Sequence, residues 1–125
     1  GRKKEVKEKM ATKKIIVEEK TPGKKIAYEV QKNKLVFGDD ELSVNLASRE
    51  RDYEVTLDIC VDTEDGIVIG TGGKAQKYAA EIVIPARRYD MIEDGVDDNG
   101  EPREVPMPIE FDMTLCKLIL WGLED

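Results

Sequence analysis

Apolar side chains recur at every second position along most of this chain, and this spacing restricts the folds that it can adopt. The clearest case is residues 53–62, where polar residues alternate with four apolar ones: Val55, Leu57, Ile59 and Val61. A period of two places such side chains on one face of a β-strand, whereas a helix repeats its apolar face every three or four residues. The pattern predicts an all-β fold, with sheets rather than helices around the interior.

Other short apolar runs lie between turn signals. Pro22-Gly23 and Asp65-Gly66 are typical of tight turns and hairpin connections. Many short strands at a spacing of roughly 8–12 residues are typical of antiparallel folds. We therefore expect an antiparallel β-sandwich or barrel of about seven to nine short strands. Residues 105–111 contain two prolines, so that segment is expected at a sheet edge, where a missing N–H costs least.

Residues 113–123 fit two different structures. As a strand, the segment places three apolar side chains on one face: Cys116, Leu118 and Leu120. As a helix, it begins after Asp112 as the capping residue and has an apolar stripe of Leu115, Leu118 and Ile119. The strand is favoured because the surrounding sequence is rich in strand patterns, but the helix stays open.

The 125 residues are expected to form a single β domain over residues 13–125, after a charged N-terminal arm or short helix over residues 1–12. In that arm, Val6 and Met10 share one face, which is too little apolar surface for an isolated helix. Such an arm needs a surface to pack on, and we favour another copy of the chain over its own domain. Gly1 is expected to be a remnant of the expression vector.

The net charge of −7 is distributed unevenly. Residues 1–34 contain 12 basic and five acidic residues, a net of +7, whereas residues 35–125 contain eight basic and 22 acidic residues, a net of −14. An acidic body repels nucleic acid and anionic membranes, so neither is an expected partner. The basic third could contact an anion or the acidic surface of a neighbouring copy, or both regions could simply be solvated faces.

The apolar runs and the cysteines indicate the cellular compartment in which the protein is expected. No apolar run approaches the roughly 20 residues of a membrane-spanning helix, and the N-terminus does not have the pattern of a signal peptide. Cys60 and Cys116 lie 56 residues apart in apolar runs. This predicts two buried, reduced thiols in a cytoplasmic protein, with a disulfide as the alternative if their strands are neighbours.

The sequence contains no histidine, which removes several common kinds of site. Ser-His-Asp and Cys-His catalysis, and zinc sites with imidazole ligands, all require it. The run from Gly70 to Ala75 matches the G-x-G-x-x-A dinucleotide fingerprint, but too few residues follow for the helix that the fingerprint needs. A glycine-rich β-turn is expected there, and no cofactor is predicted.

Charged residues supply most of the remaining candidate sites. The acidic loop 93–101 matches a calcium loop in part, and its candidate cation ligands are Asp94, Asp97, Asn99 and Glu101. Arg87 and Arg88 are candidates for binding an anion, although nearby acids predict salt bridges instead.

Two further features complete the candidate sites. Glu110 and Asp112 are two residues apart, so on a strand they would share one face and could do acid–base work. Trp121 near the C-terminus either closes a core edge or marks an interface, for which Val6 and Met10 are the other candidates.

Three stretches carry a resemblance to a known group of proteins: ERDYEVTLDIC at residues 50–60, PARRYD at residues 85–90 and FDMTLCKLILW at residues 111–121. Over about residues 12–125 the chain resembles small uncharacterised β proteins carried by phages and mobile elements of Gram-positive bacteria. The resemblance implies a host cytoplasm and a structural or accessory role, and it implies no catalytic residues.

The sequence therefore favours a non-catalytic β module that works by protein–protein contact, as a homo-oligomer. The alternative is a binding module for a small ligand, either a cation at loop 93–101 or an anion at Arg87 and Arg88. A third hypothesis is a hydrolase that depends on carboxylates.

Overall fold

The polypeptide forms strands along most of its length, as the alternating pattern predicts. The computed structural model describes residues 14–62, 66–70 and 76–123. Within them are two single turns of 3-10 helix, Ala47–Arg49 and Met113–Leu115, and ten strands: β1 (Ile16–Glu19), β2 (Tyr28–Gln31), β3 (Lys34–Phe37), β4 (Leu42–Asn45), β5 (Val55–Asp62), β6 (Gly66–Ile69), β7 (Gln76–Ile84), β8 (Tyr89–Val96), β9 (Pro102–Pro108) and β10 (Lys117–Leu120). The all-β prediction is confirmed.

The largest sheet has five strands in the order β1-β10-β7-β5-β6. Its pairs are antiparallel except that β1 runs parallel to β10, which brings the start and the end of the described chain together. The register of β5 against β7 shifts between Ile59 and Cys60, and Ala79 is left without an opposite residue. This bulge turns both Ala79 and Ala80 toward the core.

A second sheet has three strands, in the antiparallel order β2-β3-β4. Its two connections are short turns, and three of their residues adopt the left-handed conformation: Lys32, Gly38 and Asp40. The carboxylate of Glu41 in the second turn accepts a hydrogen bond from the Ile67 N–H at 3.2 Å. The turn is thus tied to β6, the edge strand of the larger sheet.

One apolar core receives side chains from both of these sheets. The smaller sheet contributes Leu35, Phe37 and Val44, which are fully buried. The larger sheet contributes side chains from its three central strands: Ile59, Ala80, Ile82, Ile84, Leu118 and Leu120. Since every second residue of these strands faces inward, the alternating pattern accounts for most of the core.

The segment near the C-terminus is a strand, as favoured, and the alternative of a helix over residues 113–123 is wrong, since only one 3-10 turn precedes the strand. Asp112 caps the 3-10 turn by accepting a hydrogen bond from the Thr114 N–H at 2.9 Å. The chain then continues as strand β10, and Cys116, Leu118 and Leu120 are buried on one face as the strand pattern predicts. Asp112 therefore caps a single turn rather than a long helix, because the chain beyond that turn is strand β10, which pairs with both β1 and β7.

Strands β8 and β9 form a separate two-stranded ribbon, named here the β8–β9 arm (residues 89–108). The prediction of a long loop over residues 93–101 is wrong, because β8 continues to Val96 and β9 begins at Pro102. The connection is a short hairpin in which Gly100 has a φ of 79°. Its N–H donates to the Asp97 carbonyl at 3.0 Å, as in a turn followed by a left-handed glycine.

The three sheets are open, and each has two edge strands within the described residues. Ten strands lie in those residues, so the predicted number of seven to nine is not confirmed. The predicted arm over residues 1–12, with Val6 and Met10, lies outside the described residues.

Candidate functional site

The base of the β8–β9 arm is fixed to the body through Asp52. Its carboxylate accepts hydrogen bonds from the Tyr89 hydroxyl at 2.5 Å and from the Arg87 guanidinium at 2.9 Å. The Tyr89 hydrogen bond, followed by Arg87, lowers the pKa of Asp52 against a raising effect of burial. Arg87 also donates to the Glu50 carbonyl at 2.9 Å. These contacts set the direction in which the arm leaves the body.

The two arginines predicted to bind an anion have different surroundings. Arg87 forms ion pairs with Asp52 and Glu50, so its guanidinium faces two carboxylates. Arg88 donates to the Glu110 carbonyl at 3.2 Å and lines a groove on the body. Of the two, only Arg88 lies beside open space. Anion binding by Arg87 and Arg88 stays a prediction.

The arm is exposed almost everywhere. All eight residues of β8 are exposed, and in β9 only Val105 is partly buried. Met91 is 57% exposed, Val96 63% and Met107 48%. A two-stranded ribbon has no further sheet or helix against which to bury such side chains, so they stay exposed within a single copy of the chain.

Both faces of the arm carry apolar side chains. Tyr89 lies opposite Pro108 and Met91 opposite Pro106 on one face, and Ile92 lies opposite Val105 on the other. Of the twelve large apolar side chains that are exposed in the described residues, the arm holds five. The arm therefore holds the largest group of exposed apolar side chains among the described elements.

The arm is also acidic. Residues 89–108 contain seven acidic residues and one arginine, a net charge of −6. Arg103 pairs with Asp94 at 3.2 Å, while Glu93 and Glu104 lie directly opposite each other across the ribbon. Like charges at opposite positions repel, so a basic surface placed against the arm would stabilise it.

The predicted cation ligands lie at the tip of the arm. The Asp97 carboxylate accepts hydrogen bonds from the N–H groups of Asn99 (2.8 Å) and Glu101 (2.9 Å), and Asp94 pairs with Arg103. These bonds give both carboxylates a role in the hairpin itself. Within the described residues there is no cluster of three or more histidine, cysteine or acidic side chains with metal-binding geometry.

A groove of about 1040 Å³ lies where β1 and β2 meet, two edge strands of different sheets. Its apolar lining includes Ile15, Val17, Tyr28, Val30, Phe111 and Met113. Lys14, Lys32 and Arg88 supply positive charge, and none of the three forms an ion pair within the described part of the chain. The groove is thus lined by apolar side chains together with three basic residues and two acidic ones, Glu110 and Asp112.

The carboxylates expected to share a face on a strand also lie in this groove, but outside any strand, because the segment 105–111 is an edge strand, as predicted, only as far as Pro108. Neither Glu110 nor Asp112 belongs to a paired strand, because β9 ends at Pro108. Asp112 is held by the 3-10 turn, where its carboxylate also accepts a hydrogen bond from the Thr114 hydroxyl at 2.6 Å. The regular spacing that suggested acid–base work is therefore not present.

Trp121 lies on the opposite face of the large sheet from the core. Its ring stacks on Tyr78 with centroids 5.3 Å apart, and its indole N–H donates to Glu81 at 3.2 Å. The Lys20 ammonium lies 5.8 Å from the centre of the Trp121 ring. Trp121 is partly buried by these neighbours, which gives it a structural role in holding Tyr78 and Lys20 in place.

Both cysteines are buried and free, as the sequence predicted. Cys116 belongs to the shared core, whereas Cys60 is buried outside that cluster. Burial is the main effect that raises the pKa of the Cys116 thiol to about 12, with smaller effects of Glu50 and Asp112. A thiol in this state is a packing residue rather than a nucleophile.

Sequence reasoning missed the exposed apolar residues of the arm and the whole of the groove. The arm had a usable signal, since the run from Asp97 to Gly100 is a turn between two short segments of strand-forming residues. The groove had none, because its lining comes from segments that the fold brings together.

No described helix is long and apolar enough to cross a membrane. Comparison with known proteins found no matching family model, no matching curated protein and no matching solved structure.

Proposed function

We propose that this protein is a non-catalytic assembly module, whose β8–β9 arm makes the contact between copies of the chain. Its body is a β-sandwich in which the five-stranded and three-stranded sheets face each other, since both contribute to one core. The observation that carries the proposal is the exposed, apolar and acidic ribbon of residues 89–108. A structural or accessory role of this kind agrees with the resemblance to small phage proteins.

The physical argument concerns apolar surface. Burying a Met or Val side chain stabilises a protein by about 1.5–3 kcal/mol relative to leaving it exposed. The arm leaves Met91, Val96 and Met107 in water, and an isolated ribbon has no means of covering them. A second molecule that covers them recovers this free energy, and a cluster of such side chains is typical of an interaction surface.

The distribution of charge favours another copy of the chain as the partner. The arm has a net charge of −6, whereas residues 14–34, the described part of the basic N-terminal third, contain six basic and three acidic residues, a net of +3. Opposite surfaces on one chain attract when two copies meet, and attraction of this kind falls as salt screens it. A head-to-tail contact follows, because the two surfaces are different patches of the same molecule.

The test compares the full chain with a double variant, Met91→Ser and Met107→Ser, by light scattering coupled to size exclusion over a range of concentrations. Serine removes apolar contact without changing the charge of the arm. The wild-type mass is expected to exceed that of a monomer and to fall at high salt. The dissociation constant of the double variant should be about tenfold higher than that of the wild type, since a loss of about 1.4 kcal/mol of binding free energy corresponds to that factor.

The matched control is the double variant Tyr53→Ser and Ile69→Ser, which removes two exposed apolar side chains outside the arm. It should assemble like the wild type. A wild-type chain that is monomeric at every concentration and ionic strength would overturn the proposal, as would an arm variant that assembles as well as the control.

A further inference from the structure

The arm and the groove are complementary in charge and in their free strand edges, and this complementarity specifies the contact further. We infer that β8 of one copy adds as a strand to β1 of the next copy and places its apolar side chains in that copy's groove. This inference rests on the proposed self-association, and it names the surface that receives the arm.

The first step concerns which edge of the arm is open. The Ile109 N–H donates to the Arg88 carbonyl at 2.8 Å, so odd-numbered residues of this segment direct their N–H groups toward β8. Pro102, Pro106 and Pro108 are even-numbered, and their nitrogens therefore lie along the outer edge of β9. Prolines at these positions close the β9 edge to strand addition because they have no N–H to donate.

The β8 edge is open by the same argument. Strand β8 contains no proline, and it pairs only with β9 within the described residues. Because the Arg88 carbonyl points toward β9, the backbone groups of the odd-numbered residues Tyr89, Met91 and Glu93 point outward. The arm thus offers one free row of hydrogen-bonding groups, next to its most exposed apolar side chains.

The receiving edge is β1. The N–H groups of Ile16 and Lys20 donate to β10, at 3.0 Å and 2.7 Å, so the backbone groups of Val17 point away from the sheet. Val17 also lines the groove and is 44% exposed. A strand added at this edge would extend the five-stranded sheet and cover the groove beside it.

Charge agrees with this placement. The groove lining has three basic residues, Lys14, Lys32 and Arg88, and two acidic ones, Glu110 and Asp112, so its net charge of +1 is opposite in sign to that of an incoming arm. The two glutamates of β1 do not oppose this contact, since Glu18 pairs with Lys117 at 3.4 Å and Glu19 with Lys25 at 2.6 Å. The charge and the hydrogen-bonding edge therefore select the same surface.

The first test blocks the edge of β1. Val17→Pro removes an N–H that points away from the sheet, so the variant is expected to fold but not to accept a strand. Ile69→Pro is the matched control, because the Gly70 N–H donates inward to Asp58 and that of Ile69 therefore lies on the free edge of β6. Light scattering is expected to show monomeric Val17→Pro at concentrations where the Ile69→Pro control and the wild type are assembled.

The second test reverses one charge of the groove lining and does not depend on a proline being tolerated. Lys32→Glu should raise the apparent dissociation constant by about tenfold at low salt, and less at high salt. Lys34→Glu makes the same charge change two residues away and outside the groove, so its effect should be clearly smaller.

The outcomes separate the two proposals. If the wild type assembles and the Met91/Met107 variant does not, self-association through the arm holds. If Val17→Pro and Lys32→Glu then assemble as well as their controls, the arm binds elsewhere and the inference about β1 is overturned. A wild type that never assembles overturns both.

Discussion

Phe37→Ala is expected to destabilise the folded protein by about 3–5 kcal/mol, the usual effect of removing a buried aromatic side chain. Phe37 belongs to the three-stranded sheet and is fully buried in the cluster that also contains Ile82 and Leu118 of the five-stranded sheet. The loss should be large because the cavity would lie where the two sheets meet. Equilibrium unfolding in urea measures it as a lower midpoint.

Two further variants make this result interpretable. Phe37→Leu keeps most of the apolar volume and should lower the free energy of unfolding by less than Phe37→Ala does. It can therefore replace Phe37→Ala in the test if the alanine variant does not fold. Lys34→Ala on the same strand is exposed and should change the free energy of unfolding by no more than about 0.5 kcal/mol. A loss below about 1 kcal/mol for Phe37→Ala would mean that the sheets do not share a tightly packed core.

The second large effect is a loss of stability at alkaline pH caused by Cys116. In the unfolded chain this thiol ionises at its ordinary pKa of 9.0, whereas in the folded protein its pKa is raised to about 12. Between these values the folded state holds one more proton than the unfolded state, so raising the pH favours unfolding. Below pH 9.0 both states are protonated and the contribution is fully retained.

Between these two pKa values, the free energy of unfolding is expected to fall by at most about 1.4 kcal/mol per pH unit because of Cys116. Urea unfolding of the wild type and of Cys116→Ala over the same pH series isolates it, because lysine and tyrosine titrate in both proteins. The difference in stability between them should shrink as the pH rises. A difference that stays constant with pH would show that the Cys116 thiol ionises normally in the folded state.

The strands were the most predictable part of this fold. The alternation in residues 53–62 identified β5, and the same period placed Cys116, Leu118 and Leu120 on the buried face of β10. This works because the period of side-chain direction is a property of the strand itself, and it needs no information about neighbours. Turn residues with left-handed backbones, such as Gly38, were predictable for the same local reason.

The arrangement of the strands was not predictable. Nothing local indicates that β1 pairs in parallel with β10, a contact between residues about 100 positions apart. Gly122 is a similar case: a Cβ there would clash with the Pro22 carbonyl oxygen, so the close approach of two distant segments requires glycine. Such requirements become visible only when the segments are placed together.

In the candidate site, too, local features could be predicted from the sequence, whereas contacts between distant segments could not. The charges of Arg87 and Asp52 were visible in the sequence, but their ion pair joins segments 35 residues apart. The acidic segment 93–101 was identified as a loop because its charges and glycines resemble one, while the pairing of β8 with β9 extends the ribbon into it. The groove depends on the contact between two sheets, which no motif encodes.

Amide hydrogen exchange of the full chain, measured as a function of protein concentration, tests most directly whether the arm is the contact between copies. The outward N–H groups of Tyr89, Met91 and Glu93 should exchange more slowly as the concentration rises, because a neighbouring chain then accepts their hydrogen bonds. Amides on the β6 edge should not change. Exchange in β8 that is equally fast at every concentration would contradict assembly by addition of β8 to a strand of the neighbouring copy.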